Sequence, residues 1–181
     1  LVERDGLEYE ADSETPFTGD TSPKSSQAKS DEPPVQTVDV SKLVRRDGLV
    51  YEGDSETPFT GVAVEKYESG QRKSERTFKD GKREGPYTRW HKNEQKAEEA
   101  TWKDGKPEGL WPSWHENGKK KQEVTFKDGK IEGLSTSWHK NGQKRWEVTF
   151  KDGKEEGPMT RWHENGQKAE EVTFKDGKKE G

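Results

Sequence analysis

No cysteine occurs among the 181 residues, which excludes disulfides, thiolate metal sites and thiol catalysis. Methionine occurs once, and hydrophobic residues make up only 23% of the chain, about half the share of an ordinary soluble domain. A single thick core is therefore not expected. No apolar run approaches the roughly 20 residues that a membrane-spanning helix needs. With 39% of residues charged, the composition leans toward disorder. The aromatics argue otherwise. Seven Trp, six Phe and four Tyr recur at fixed places, so the chain is expected to be ordered but thin.

Net charge is −4 and unevenly spread: residues 1–60 hold 6 Lys and Arg against 14 Asp and Glu, whereas residues 61–181 hold 27 against 23. In the second part the two signs interleave, as on a solvated surface rather than a strip that tracks phosphates. Nucleic acid is not an expected partner. The chain opens at Leu1 without a methionine and stops at Lys179-Glu180-Gly181 inside a repeated phrase. Both ends are expected to be cut, and the residues leave the compartment open between cytoplasm and cell envelope.

What the chain has in quantity is repetition. "FKDGKREG" (Phe78–Gly85) returns as "WKDGKPEG", "FKDGKIEG", "FKDGKEEG" and "FKDGKKEG", and Gly61, Gly85, Gly109, Gly133, Gly157 and Gly181 are each 24 residues apart. A constant period in this range marks a repeat array. Five copies begin at Gly61, Gly85, Gly109, Gly133 and Gly157 and fill residues 61–181.

Each copy carries two turn signals. Asp-Gly recurs at Asp80, Asp104, Asp128, Asp152 and Asp176, and Asn-Gly at Asn117, Asn141 and Asn165, replaced by Ser69-Gly70 and Asn93-Glu94 in the first two copies. Both dipeptides suit the positive φ angles of tight hairpins. They predict two antiparallel strands per copy. The second strand alternates as a half-buried strand should, with Val148 and Phe150 set between Glu147, Thr149 and Lys151. The predicted fold is all-β: an elongated, twisted antiparallel meander in a single layer, built like a solenoid. The glycine opening each copy falls within a strand, where it predicts a bulge or bend.

Trp90, Trp114, Trp138 and Trp162, each followed by His91, His115, His139 and His163, occupy the first strand. A two-residue Asn-Gly loop would set these tryptophans opposite Val148 and Phe150, and a three-residue bulged loop would bring them onto the same face. The bulged loop is favoured here because it gathers the aromatics on one side. The histidines form a ladder with about 9.5 Å between successive copies at ~4.8 Å per strand step. That is too far for neighbours to share a zinc ion, whose ligands stand ~2.0–2.1 Å from it. The Asp of Lys-Asp-Gly-Lys reads as a turn former rather than a calcium ligand. No nucleophile–His–acid set, phosphate loop or cofactor fingerprint appears, so no enzyme, cofactor or metal is expected.

Ahead of the array, "LVERDGLEYEADSETPFTG" (1–19) is duplicated as "LVRRDGLVYEGDSETPFTG" (43–61), with sixteen of nineteen positions alike. Residues 1–19 and 43–60 are thus two lead-in segments. Between them, residues 20–42 are rich in Ser, Pro and Lys without aromatics, the composition of a flexible linker.

The phrase "GPMTRWHENGQKAEEVTFKDGKKEG" and its copies from Gly61 to Gly181 resemble the MORN-repeat variant family, and "DGLVYEGDSETPFTG" resembles the lead-in of its bacterial members. Such bacterial proteins are often labelled antitoxins of the YwqK type, which implies binding and neutralising a toxin. More distant MORN proteins are associated with phospholipid and scaffolding. The family's aromatic two residues after the repeat glycine is present as Tyr87 and Trp111 but is Ser135 and Met159 later. The reading that results is a protein-binding module presenting Tyr87, Trp111 and the Trp/His strand. The alternative is a scaffold on anionic membrane lipid. Open sheet edges add a route to self-association.

Overall fold

The structure is a computed structural model that describes residues 2–4, 7–9 and 35–180. Two compact units divide the chain, Leu1–Pro33 and Pro34–Gly181. In the first, β1 (Val2–Arg4) pairs antiparallel with β2 (Leu7–Tyr9), Val2 opposite Tyr9. The rest of the first lead-in and most of the linker lie outside the described residues.

The second unit begins with β3 (Thr37–Asp39), a single 3-10 turn (Val40–Lys42) and the hairpin β4 (Leu43–Arg46) and β5 (Leu49–Glu52). The array follows. Its first copy is β6 (Gly61–Lys66) and β7 (Arg72–Lys79), its second β8 (Lys82–Trp90) and β9 (Lys96–Lys103), and its third β10 (Lys106–Trp114) and β11 (Lys120–Lys127). Then come β12 (Lys130–Ile131), β13 (Gly133–Trp138), β14 (Lys144–Lys151), β15 (Lys154–Trp162), β16 (Lys168–Lys175) and β17 (Lys178–Lys179). Strands from β6 onward pair in chain order, with β12 and β13 both pairing with β11, giving one long sheet of hairpins. β3 adds to its front edge in parallel, Val38 opposite Ala63.

The Asp-Gly turns take the conformation their chemistry favours. Asp104 and Gly105 have φ of 49° and 77°, and the same pair of positive angles recurs at every Asp-Gly of the array. Two positive φ values in a row define the hairpin turn whose twist matches that of its strands. Lys106 accordingly lies opposite Lys103. At the other end the loop holds three residues. The His139 amide donates to the Gln143 carbonyl, and the Gly142 amide to that of His139, both at 2.9 Å. In the second copy Glu94 stands at the position of that last loop glycine, with φ of 63°. A side chain in this region costs roughly 1–2 kcal/mol. Glu94→Gly is therefore expected to raise stability by about 1 kcal/mol, read as a higher urea midpoint with an unchanged slope.

The glycine that opens each later copy also has positive φ, from 77° to 85° at Gly85, Gly109, Gly133 and Gly157. The strand register shifts there, for example between Val148–Met159 and Thr149–Glu156. The expected bend is present.

Two expectations are corrected. Residues 37–42, assigned to the linker by composition, are ordered: β3 is hydrogen-bonded to β6, and Val38 is buried. The tryptophans do not join Val148 and Phe150. The three-residue loop forms as favoured, but a bulge follows it at once. Ser137 pairs with Trp146 while Trp138 pairs with Lys144, leaving Arg145 unopposed. That extra residue reverses the parity. Because Ser135 faces Val148, Trp138 falls on the opposite side. The same shift recurs at Trp90, Trp114 and Trp162.

Burial is concentrated at the front. Val38, Phe59, Ala63 and Phe78 form a buried cluster, with Val40, Leu43 and Val50 packed against it. The second lead-in is therefore a cap on the array. Farther along, Ala100, Val124 and the cross-strand pair Val148 and Met159 are buried. Their cover comes from neighbouring side chains on the same face of the sheet.

Candidate functional site

Along the Asn-Gly edge, successive copies are stitched together. The Nε2 atoms of His91, His115 and His139 lie 2.9, 3.0 and 2.9 Å from the backbone carbonyls of Trp114, Trp138 and Trp162. A carbonyl only accepts, so Nε2 carries the proton. Tyr67 takes this place in the first copy, its hydroxyl donating to the Trp90 carbonyl at 2.8 Å. The Nδ2 groups of Asn93, Asn117 and Asn141 donate to the carbonyls of Glu116, Lys140 and Glu164. Each Asn also accepts from its own turn, as Asn141 does from the Gln143 amide at 3.0 Å. The histidine ladder thus spans from copy to copy. His163 belongs to the fifth copy, whose own turn closes in the same way.

A second seam runs along the Asp-Gly edge. The carboxylates of Glu84, Glu108, Glu132 and Glu156 accept from the amides of Asp104, Asp128, Asp152 and Asp176 at 2.6–2.9 Å. The Thr60 hydroxyl does the same for Asp80 at 2.9 Å. The repeated Asp is held at its backbone, in keeping with its reading as a turn former.

Between the seams, the face that carries Val148 and Phe150 also carries a row of aromatics. Trp111 lies edge-on to Tyr87 at 6.4 Å and to Trp102 at 5.9 Å, and tilted against Phe126 at 5.1 Å. These spacings suit edge-to-face attraction between ring quadrupoles. The indole N–H of Trp111 donates to Glu98 at 2.6 Å, and Glu98 is also held by Arg89 at 2.9 Å. Burial pushes the Tyr87 hydroxyl above its usual pKa, with the Glu98 charge adding to the effect. Next to this row, the Arg83 guanidinium lies over Trp102 at 4.6 Å. At the front of the same face, Glu65 is held below the usual carboxylate range. Its hydrogen bond from Lys73 is the largest cause, and Ser74 and Arg76 add to it.

Structure therefore brings Tyr87 and Trp111 together and separates them from Trp90, Trp114, Trp138 and Trp162. The latter belong to the polar face, where Lys120 lies over Trp138 at 5.6 Å and Lys144 over Trp162 at 5.7 Å. The same lysines pair with Glu123 and Glu147 at 2.5 Å. Sequence reasoning missed Trp102, Phe126 and Arg83 as members of the aromatic row. A signal existed for two of them. Trp102 replaces the Phe of "FKDG", and Arg83 occupies the variable place in Lys-x-Glu-Gly.

A family model described as MORN repeat variant matches residues 59–80, 107–128 and 155–176. The array is built of MORN repeat variants. The matches fall on the first, third and fifth copies, and the copies between them keep the period and both seams. MORN repeats as a class serve as modules that bind proteins or membranes. No curated protein matches this chain.

Proposed function

We propose that this MORN-repeat protein is a non-enzymatic module that docks a protein partner on the aromatic face of its sheet. The observation that carries the reading is the row Tyr87, Trp102, Trp111 and Phe126. It is half-buried, and its strands β8–β11 make their most extensive contacts with one another in the sheet. Aromatic residues held rigidly by neighbours are favoured anchors at protein interfaces. Neutralisation of a harmful partner, as an antitoxin does, is the finer form of this reading and rests on the family likeness.

Charge favours protein over lipid. Binding to anionic lipid draws about 1 kcal/mol from each free basic residue near the surface. Here the lysine that opens the second strand of copies two to five is matched by a glutamate three residues on: Lys96–Glu99, Lys120–Glu123, Lys144–Glu147 and Lys168–Glu171, at 2.5–2.8 Å. On the aromatic face, Arg76–Glu65 and Arg89–Glu98 are also paired.

The test compares the full chain with Trp111→Ser, which installs the residue that the fourth copy has as Ser135. Each is immobilised and exposed to extract of the source cell and to phosphatidylserine vesicles. One stoichiometric protein, retained at least tenfold less by Trp111→Ser while far-ultraviolet circular dichroism is unchanged, is the expected result. Salt-sensitive retention on the vesicles, equal for both chains, would overturn it in favour of a lipid scaffold. If the captured protein is an enzyme, inhibition of its activity by the wild-type chain tests the neutralising form.

A further inference from the structure

Where the cap meets the array, a recess of about 380 Å³ opens between the 3-10 turn and β4–β5 on one side and β7–β9 on the other. Its lining divides in two. Val50, Phe78 and Trp102 belong to an apolar wall, and Arg45, Arg76 and Arg83 bring positive charge. Among the described residues, no carboxylate lines it. Of the three arginines, only Arg76 has an acidic partner among the described residues, Glu65 at 3.0 Å.

Two N–H groups here are orphaned. The Nε–H of Arg76 and the indole N–H of Trp102 are buried with no hydrogen-bond partner among the described residues. Such donors are uncommon, since nearly all buried polar groups are paired, and an unmet one costs about 1–3 kcal/mol. Arg83 is half-buried with its guanidinium over the Trp102 ring at 4.6 Å and 5.9 Å from that of Tyr87. Burial, with Arg76 and Arg45 nearby, disfavours its charged form. These residues repel one another, and an anion among them would relieve that repulsion.

We infer that this recess binds the carboxylate of an acidic side chain in a peptide segment whose neighbouring residues are apolar. A guanidinium presents its donors as a planar fork that fits a carboxylate in two parallel hydrogen bonds. Arg83, resting on Trp102, keeps such a fork fixed, and the orphaned donors lie in the same lining. The apolar wall selects an anion that brings hydrocarbon with it, which a free phosphate does not. That the carrier is a peptide rests on the protein-binding reading above. The recess itself is independent of it.

The assay uses the full chain with ¹⁵N-labelled tryptophan and a capped pentapeptide, Ala-Leu-Glu-Leu-Ala. Titration is expected to shift the indole signal of Trp102 and leave that of Trp162 in place. Arg83→Gln keeps much of the aliphatic stem and removes the charge. It should weaken binding at least tenfold, with near-ultraviolet dichroism confirming the fold. Arg45→Gln, on the opposite wall, should weaken it as well. Equal affinity for the glutamine counterpart of the peptide, or no effect of Arg83→Gln, would overturn the assignment. Displacement of the peptide by an equal concentration of inorganic phosphate would also overturn it and mark a phosphate site. The two readings fail separately. A partner that depends on Trp111 and is indifferent to Arg83→Gln removes the recess alone, whereas peptide binding in a chain that captures no protein removes the docking reading alone.

Discussion

Phe59→Ala is expected to destabilise the cap and first copy by about 3–5 kcal/mol, the range for emptying a buried aromatic site. Phe59 is only 3% exposed and meets Phe78 at a ring-centroid distance of 5.9 Å. Its backbone is a junction as well. The Phe59 amide donates to the Val50 carbonyl at 2.8 Å, and the Gly81 amide donates to the Phe59 carbonyl at 2.9 Å. Loss of the ring leaves Val38, Ala63 and Phe78 facing a void that a thin sheet has few side chains to fill. In repeat arrays, stability is close to a sum of local and nearest-neighbour terms. The loss should therefore appear first as faster amide exchange in β3, β5 and β6, ahead of β14–β16. Uniform protection along the array, with a single unshifted urea transition, would contradict this account.

Gly61→Ala is the second large effect, expected at about 2–4 kcal/mol from overpacking and backbone strain together. Gly61 has φ of 155°, and a Cβ built there would stand 2.4 Å from the Gln36 carbonyl oxygen and 2.9 Å from Cζ of Phe59. That carbonyl accepts from the Val62 amide at 2.8 Å, so the methyl group would push β3 off the edge it covers. Gly105→Ala is the control. Its φ is 77°, but nothing lies within 4 Å of the added Cβ, and only the conformational cost of about 1 kcal/mol remains. Since Phe59 is one of the two groups that the Gly61 methyl would strike, the double variant Phe59→Ala/Gly61→Ala should cost less than its parts added. Additive losses, read from urea midpoints, would mean that the Phe59 ring plays no part and that φ and the Gln36 carbonyl account for the cost.

The turns were the most legible part of the sequence. Asp-Gly needs no tertiary context to favour two positive φ angles, so each hairpin could be placed to the residue. The face of the tryptophans could not. It depends on whether Ala97, Lys121, Arg145 and Ala169 bulge, and these side chains share no property that marks a bulge. Order at 37–42 was hidden for a related reason. Val38 and Val40 stand in a stretch dominated by Ser, Pro and Lys, and only the presence of β6 and Phe78 gives Val38 something to pack on. Of the candidate site, Tyr87 and Trp111 could be found by comparing copies with the repeat pattern. Trp102 and Arg83 could have been found in the same way, as departures from it. The orphaned donors follow from packing at the cap, which no single copy encodes.

The two seams have a consequence for length. From the second copy to the fifth, each junction repeats the bond from His to the next Trp carbonyl and from Glu to the next Asp amide, so a copy inserted or removed in frame within that stretch leaves each junction chemically the same. The array therefore works as a ruler with a fixed increment, two strand spacings or about 9.5 Å per 24 residues. Changing the reach of such a protein requires no new interface, only another copy of a phrase the gene already contains.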